Sequence, residues 1–206
     1  MENEKIIELC ASGDLSGLQQ LVDADFSFYD AFEDADVFGL PIANACNGEI
    51  AQFLYENNAV SIVESDVPVL NAVIKNVANG KIDISTLRVV LLNEEGINSD
   101  WDGLSGDLAI HAAIRSGNID IVELLISSGA ALNIASNDGD TPLGIAAEQN
   151  DLDIADLLIK NGAPSNEEAY FFIIDFDDPE DAEEIYSPLS LAKTDEMRLL
   201  ISKSTE

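Results

Sequence analysis

Two segments of this sequence repeat each other at a fixed distance, and that periodicity limits the fold more than any other feature. Residues 108–133 and 141–166 align without a gap, and Gly162 lies 33 positions after Gly129. In each segment, apolar residues at helical spacing form two short runs. Gly117 separates the runs of the first segment, and Gly129 is predicted to end its second helix. The predicted unit is a helix, a tight turn, a longer helix and a loop.

The second segment carries a detailed motif. It reads Asp138-Gly139-Asp140-Thr141-Pro142-Leu143, then Ala146-Ala147, then Asp156-Leu157-Leu158-Ile159 and Gly162-Ala163. These residues resemble the ankyrin repeat, roughly DGxTPLHxAAxxGxxxIVxLLLxxGAxxN, and the resemblance is strong over about residues 101–166. It implies an all-α fold, an ankyrin-repeat solenoid of about six stacked helix-turn-helix units with hairpin loops. We expect Thr141 to cap the first helix of its unit, which Pro142 opens.

Weaker copies of the motif extend the array in both directions. Pro142 and Pro188 are 46 residues apart, so 13 residues are inserted relative to the period before the last copy. Upstream copies begin near Leu40-Pro41 and Val67-Pro68, and Gly13 splits a first helix pair. We therefore predict a single ankyrin-repeat domain over residues 1–206. Its approximate repeats are 1–33, 34–61, 62–99, 100–135, 136–168 and 180–206, with an acidic insertion at about 167–186.

The charge of the chain excludes several classes of partner. It has 40 Asp and Glu residues against 9 Lys and Arg residues, a formal net charge of −31 with the histidine neutral. Nucleic acid and anionic membranes are not expected as direct partners, because their phosphates would be repelled. Acidic disordered chains are poor in apolar residues, whereas this chain is 47% hydrophobic. A folded core with the charge on its outside is therefore expected.

The termini and cysteines bear on localisation. The N-terminal sequence MENEKIIELC lacks the apolar run of a signal peptide, and no run approaches the roughly 18–20 apolar residues of a membrane-spanning helix. Cys10 and Cys46 have no metal-like spacing, and we expect both to be reduced core thiols inside helices. A cytoplasmic protein, monomeric when free, is predicted; secretion without a classical signal is the alternative.

Residues for catalysis are scarce. His111 is the only histidine, which excludes a multi-histidine metal site or a histidine-based triad. The resemblance places it at the H of TPLH, where the imidazole bridges groups of adjacent hairpins, although Leu108 replaces the usual threonine. The acidic run at 175–181 lacks the spacing of a calcium loop. We therefore predict a non-catalytic protein without cofactor or metal.

The resemblance implies that a partner binds to the hairpin tips and to exposed positions on the first helix of each repeat. Most of these tips carry carboxylates, although in a chain this acidic the tips can be acidic by chance. The candidate partner-binding residues are Asp34, Asp36, Phe38, Asp66, Asp100, Trp101, Asp102, Asp107, Arg115, Asp138, Asp140, Glu148, Asp177, Asp178, Glu183, Glu184 and Tyr186.

The distribution of charge and aromatic residues favours a functional surface. No basic residue lies between Lys5 and Lys75, where twelve acidic residues occur, or between Lys160 and Lys193, where nine occur. Both stretches contain enlarged loops, at 25–38 and 167–186, in which aromatic and acidic residues alternate. Partner contacts concentrate in such loops. The alternative is that these aromatic side chains pack the hairpins onto the helices.

The leading hypothesis is a binding module that captures and inhibits a basic partner protein, such as a toxin or effector enzyme, by electrostatic complementarity. An immunity protein or antitoxin would act in this way, its carboxylates standing where the substrate phosphates of a basic nuclease bind. The alternative is a regulatory adaptor or secreted effector that engages a signalling protein. Its binding would depend less on salt and more on apolar first-helix residues.

Overall fold

The computed structural model describes residues 2–24, 26–32, 40–59, 69–93, 97–98, 108–136, 139–165 and 187–203. Every regular element in these ranges is helical, as the sequence predicts. The chain divides into two compact units, Met1–Gly96 and Ile97–Glu206. Among the described helices, none has the length and apolar character needed to cross a membrane.

The first unit contains three helix pairs. Its helices are α1 (Glu2–Ser12), α2 (Leu15–Asp23), α3 (Phe28–Phe32), α4 (Gly48–Glu56), α5 (Val69–Ala78) and α6 (Ile84–Asn93), with a short 3-10 helix at Ile42–Asn44. Helix α1 packs against α2, the 3-10 helix packs against both α1 and α5, and α6 packs against α4 and α5. The core of this unit includes the fully buried side chains of Ile6, Leu18, Ile42, Leu54 and Leu87.

Buried polar side chains join successive pairs of the first unit. The Asn76 Nδ2 donates to the Ala43 carbonyl at 2.8 Å, and the Thr86 hydroxyl donates to the Ala45 carbonyl at 2.8 Å. Because a buried polar group without a partner costs about 1–3 kcal/mol, these bonds favour one alignment of the third pair against the second.

Two expectations for the first unit are wrong. Part of the loop predicted at 25–38 folds as α3, where Phe28 and Phe32 are buried; the rings of Phe26 and Phe28 meet edge to face at 5.4 Å. These aromatic residues follow the packing alternative. Cys46 lies in the turn between the 3-10 helix and α4 and is half-buried. The short first helix of this repeat ends at Asn44, before it reaches the cysteine.

The second unit contains three further pairs that stack in order. Its helices are α7 (Ala109–Arg115), α8 (Ile119–Ser127), α9 (Pro142–Gln149), α10 (Leu152–Lys160), α11 (Pro188–Leu191) and α12 (Asp195–Lys203). Helix α9 packs between α7 and α11, and α10 packs against α8, α9 and α12. Ala146 and Ala147 are completely buried in α9, so these small side chains lie where neighbouring helices come close.

Local signals in the second unit act as predicted. The Thr141 hydroxyl accepts a hydrogen bond from the Gly144 N–H at 3.1 Å, and Pro142 opens α9. Gly129 follows the end of α8 with φ +92°, a left-handed conformation that glycine adopts without steric cost. These caps fix where each helix begins and ends, and so position the loops between pairs.

Candidate protein-binding surface

The imidazole of His111 links the start of α7 to the segment that follows α8 through two hydrogen bonds. The imidazole is fully buried; its Nδ1 accepts from the Leu108 N–H at 3.1 Å, and its Nε2 lies 3.0 Å from the Ile134 carbonyl. These partners assign a neutral ring with its proton on Nε2. Leu108 provides no side-chain cap for α7, so the bond expected from a threonine is missing. The structural role predicted for His111 is thus what its contacts support.

Arg115 and Asp140, both predicted partner contacts, meet in an ion pair between neighbouring repeats. The Arg115 guanidinium at the end of α7 donates to the Asp140 carboxylate just before α9, and both side chains are about one-third exposed. The Gln149 Nε2 at the end of α9 donates to the Arg115 carbonyl at 3.1 Å. These contacts join one repeat to the next. Arg115 and Asp140 therefore stabilise the stacking of the repeats and also lie on the predicted binding surface.

Glu148 is the third predicted residue that the structure describes. It lies in the last turn of α9, next to Gln149, and is exposed. The Asp140 charge is paired with Arg115, whereas Glu148 presents its carboxylate to solvent at the other end of α9. At this point of the surface, Glu148 is therefore the residue to substitute first.

The other predicted contacts cannot be placed. They belong to the hairpin tips and the acidic insertion, and they lie outside the described residues: Asp34, Asp36, Phe38, Asp66, Asp100, Trp101, Asp102, Asp107, Asp138, Asp177, Asp178, Glu183, Glu184 and Tyr186. Their role in binding stays a prediction.

Three exposed leucines were missed by the sequence reasoning. Leu92 in α6 is 83% exposed, Leu199 in α12 is 54% exposed, and Leu189 in α11 is 40% exposed. The helical period gives a signal for Leu199, because it lies two positions from the buried Met197 and Ile201 and so points to a different side of α12. Each exposed leucine offers apolar contact area on its own helix.

The segment before α6 contains a hydrogen-bonded carboxyl group, Asp83. No group of three or more His, Cys, Asp or Glu residues among the described residues is arranged to hold a metal ion. Asp83 has a perturbed carboxyl group: hydrogen bonds from the Ser85 hydroxyl and then from the Ser85 N–H lower its pKa. Because the Ser85 hydroxyl also accepts from the Gly48 N–H at 2.8 Å, this network joins the starts of α4 and α6.

Known proteins share this architecture. A family model described as ankyrin repeats, in three copies, matches residues 75–169. The fold is similar to a crystal structure of the ankyrin repeat domain of Bcl-3, described as a unique member of the IkappaB protein family. The TM-score is 0.60 at 15% sequence identity, over 96% of this chain and 97% of that one. A search of curated proteins finds no match.

The motif at 138–163, the stacked helix pairs and the family match over 75–169 agree with one another. Each of the three rests on a different property: residue pattern, packing and sequence similarity. Residues 75–169 therefore form ankyrin repeats, and the fold of the chain is similar to that of an ankyrin repeat domain.

Proposed function

We propose that this protein is a non-catalytic binding module that captures and inhibits a basic partner protein in the cytoplasm, as an immunity protein or antitoxin does with its cognate toxin. Ankyrin repeats indicate a protein–protein interaction module. Stacked repeats form extended surfaces that suit such binding, while the fold itself does not name the partner. The basic character of the partner is inferred from the net charge of the chain and from where its carboxylates lie.

The observation that carries the proposal is the excess of carboxylates. If every Lys and Arg residue paired with one carboxylate, an excess of 31 would remain, the formal net charge. In the second unit, cations already form pairs within the chain: Arg115 with Asp140, Lys160 with Asp156, and Arg198 with Asp195. A field of this sign raises the association rate of a basic protein, and salt screens it.

The test begins with the partner and its kinetics. A basic protein captured by the immobilised chain is identified, purified and measured by surface plasmon resonance over a range of salt concentrations. We expect the association rate to fall steeply as salt rises, and the activity of the partner to be lost when the two proteins are mixed in equal amounts. Partner activity that persists in the complex would contradict inhibition.

A matched pair of variants separates a specific surface from general charge. Glu148→Gln and Asp153→Asn each remove one negative charge; both residues are exposed, on α9 and α10 respectively. Glu148 lies on a first helix, where ankyrin-type surfaces bind, and Asp153 lies on a second helix. We expect Glu148→Gln to weaken binding several-fold more than Asp153→Asn. Equal effects would mean that only net charge matters and that the first-helix surface is not the binding site.

The alternative is a regulatory adaptor or secreted effector that engages a signalling protein, and the exposed Leu189 on the first helix α11 favours it. Binding would then depend on apolar contact. Leu189→Gln would abolish it, and high salt would leave it nearly unchanged. The proposed electrostatic capture predicts the reverse pattern, so one salt series with this variant distinguishes the two functions.

A further inference from the structure

The two cysteines meet where the first helix pair contacts the second. Cys10 is fully buried in α1, and Cys46 is half-buried in the turn before α4. The Cys46 N–H donates to the Cys10 carbonyl at 3.1 Å. Since the last four carbonyls of a helix have no partner inside it, this bond satisfies one of them and holds the two residues side by side.

The contact brings the cysteines within reach of a covalent bond. A backbone hydrogen bond of this length keeps the two Cα atoms within about 7 Å, and disulfide-linked Cα atoms are usually about 4.4–6.8 Å apart. The Cys46 sulfur lies against the turn that ends α1, because a Cβ atom on Gly13 would be 3.2 Å from it. The sulfur therefore lies beside the C-terminal end of the helix that contains Cys10.

The two thiols differ in their exposure to reagents. Burial, and then the nearby Cys46, raise the pKa of the Cys10 thiol to about 12. Cys10 is thus protonated and shielded at neutral pH, which makes it a poor first target for an oxidant. The half-buried Cys46 is the thiol that an oxidant in solution meets first.

We propose that Cys10 and Cys46 are an oxidative modification site, at which a hydroperoxide converts the two thiols into an intramolecular disulfide. The Cys46 thiolate attacks an oxygen of the peroxide, which breaks the O–O bond and gives a sulfenic acid and hydroxide. The Cys10 sulfur then attacks the sulfenic sulfur, and the hydroxyl group leaves with the Cys10 proton as water. Both thiols are oxidised together by two electrons, and hydrogen peroxide is reduced to water.

The disulfide would cross-link the first helix pair to the turn before α4. A repeat array is held only by contacts between neighbours, so its helix pairs can open locally. A cross-link between α1 and the turn before α4 restricts the unfolded chain and stabilises the folded one. Oxidation would therefore protect the first helix pair from opening.

The experiment treats the full chain with hydrogen peroxide and compares it with the chain kept in dithiothreitol. We expect a Cys10–Cys46 linked peptide in unreduced digests and a monomer on a non-reducing gel. We also expect slower hydrogen exchange in α1 and α2 and a midpoint of thermal unfolding several degrees higher. Retention of both alkylatable thiols after peroxide treatment, or a cross-link between two chains, would overturn the proposal.

Two variants control for folding. Cys46→Ala removes a half-buried side chain, so its circular dichroism and exchange pattern should match those of the reduced chain. We expect this variant to form no cross-link and to leave Cys10 unmodified under the same peroxide treatment. Cys10→Ser should leave Cys46 to proceed to a sulfenic or sulfinic acid. Oxidation of Cys10 in folded Cys46→Ala would contradict the assignment of Cys46 as the first target.

Discussion

At the scale of single residues, a few buried polar side chains stabilise the middle helix pairs of the chain. Those buried among the described residues are Asn76, Thr86, His111, Ser136 and Thr141. Each one hydrogen-bonds to backbone. Thr141 and His111 could be assigned from the motif because their capping partners are three residues away. The roles of Asn76 and Thr86 could not, since their partners lie 33 and 41 residues away in the sequence.

Replacing His111 with alanine should destabilise the second unit. The change leaves the Leu108 N–H and the Ile134 carbonyl without the imidazole, and a buried group without a partner costs about 1–3 kcal/mol. Urea unfolding should show a loss of at least this size in the free energy of unfolding. Glu123→Ala, an exposed change on α8, is the control and should stay within about 0.5 kcal/mol. An equal loss of unfolding free energy in His111→Ala and Glu123→Ala would show that the hydrogen bonds of His111 do not stabilise the unit.

Cys10 should make the protein less stable in alkali. In the unfolded chain the Cys10 thiol has a pKa of 9.0, and in the folded chain burial raises that pKa to about 12. Below about pH 9 the thiol is therefore protonated in both states. Between these values only the unfolded thiol ionises, so the free energy of unfolding falls as the pH rises. Denaturant titrations from pH 8 to pH 11 should show a smaller fall in Cys10→Ala. Parallel curves for the two proteins would show that Cys10 does not contribute.

At the scale of helices and turns, the chain uses two residue types for one backbone conformation. Gly117 separates α7 from α8 with φ +68°, and Asn150, which lies 33 positions later, separates α9 from α10 with φ +58°. Asparagine is one of the few residues besides glycine that adopt this conformation routinely. The glycine identifies the turn from sequence alone, whereas Asn150 identifies it only through the repeat alignment.

Substitutions at Gly117 should be tolerated according to how readily the new residue adopts a left-handed backbone conformation. Apart from Gly117 and its two chain neighbours, no residue has an atom within 4 Å of a Cβ atom built on Gly117, so the effect of a new side chain comes from the backbone. Gly117→Val should lower the free energy of unfolding by about 1–2 kcal/mol, while Gly117→Asn should cost less. Urea unfolding of the two variants measures the difference. A similar loss in both would mean that the left-handed conformation is not the constraint at this turn.

The degenerate repeats show where prediction of elements fails. The second repeat has a 3-10 helix at Ile42–Asn44 in place of a full first helix, and α3 forms where a loop was expected. Both cases involve segments too short for helical periodicity to be read. Packing decides them instead: the 3-10 helix lies against α1 and α5, and α3 lies against α1.

At the scale of the whole molecule, charge repulsion opposes folding. The formal net charge of −31 is distributed over a chain of 206 residues, and like charges destabilise a compact state. The stacked repeats offset this repulsion through a core of leucine, isoleucine, valine and alanine side chains. An acidic chain can therefore fold while it keeps a strong field around it.

Salt should stabilise the protein because it screens that repulsion. The Debye length falls from about 30 Å at 0.01 M salt to about 8 Å at 0.15 M. We expect the midpoint of thermal unfolding, followed by circular dichroism, to rise over this range of sodium chloride concentration. An unchanged midpoint would show that the carboxylates lie too far apart to repel one another appreciably. The same salt weakens the proposed capture of a basic partner, so stability and binding should change in opposite directions.

The sequence alone determined the repeat, the helical class, the capping role of Thr141 and the turn at Gly129, because each depends on residues a few positions apart. The tertiary structure decided which distant groups meet. Arg115 pairs with Asp140 across 25 residues, and Cys46 reaches Cys10 across 36 residues of chain. Buried Phe28 and Phe32 likewise depend on the helices that cover them. Such contacts arise from stacking between repeats, and the local pattern that defines one repeat does not encode which side chains its neighbour presents.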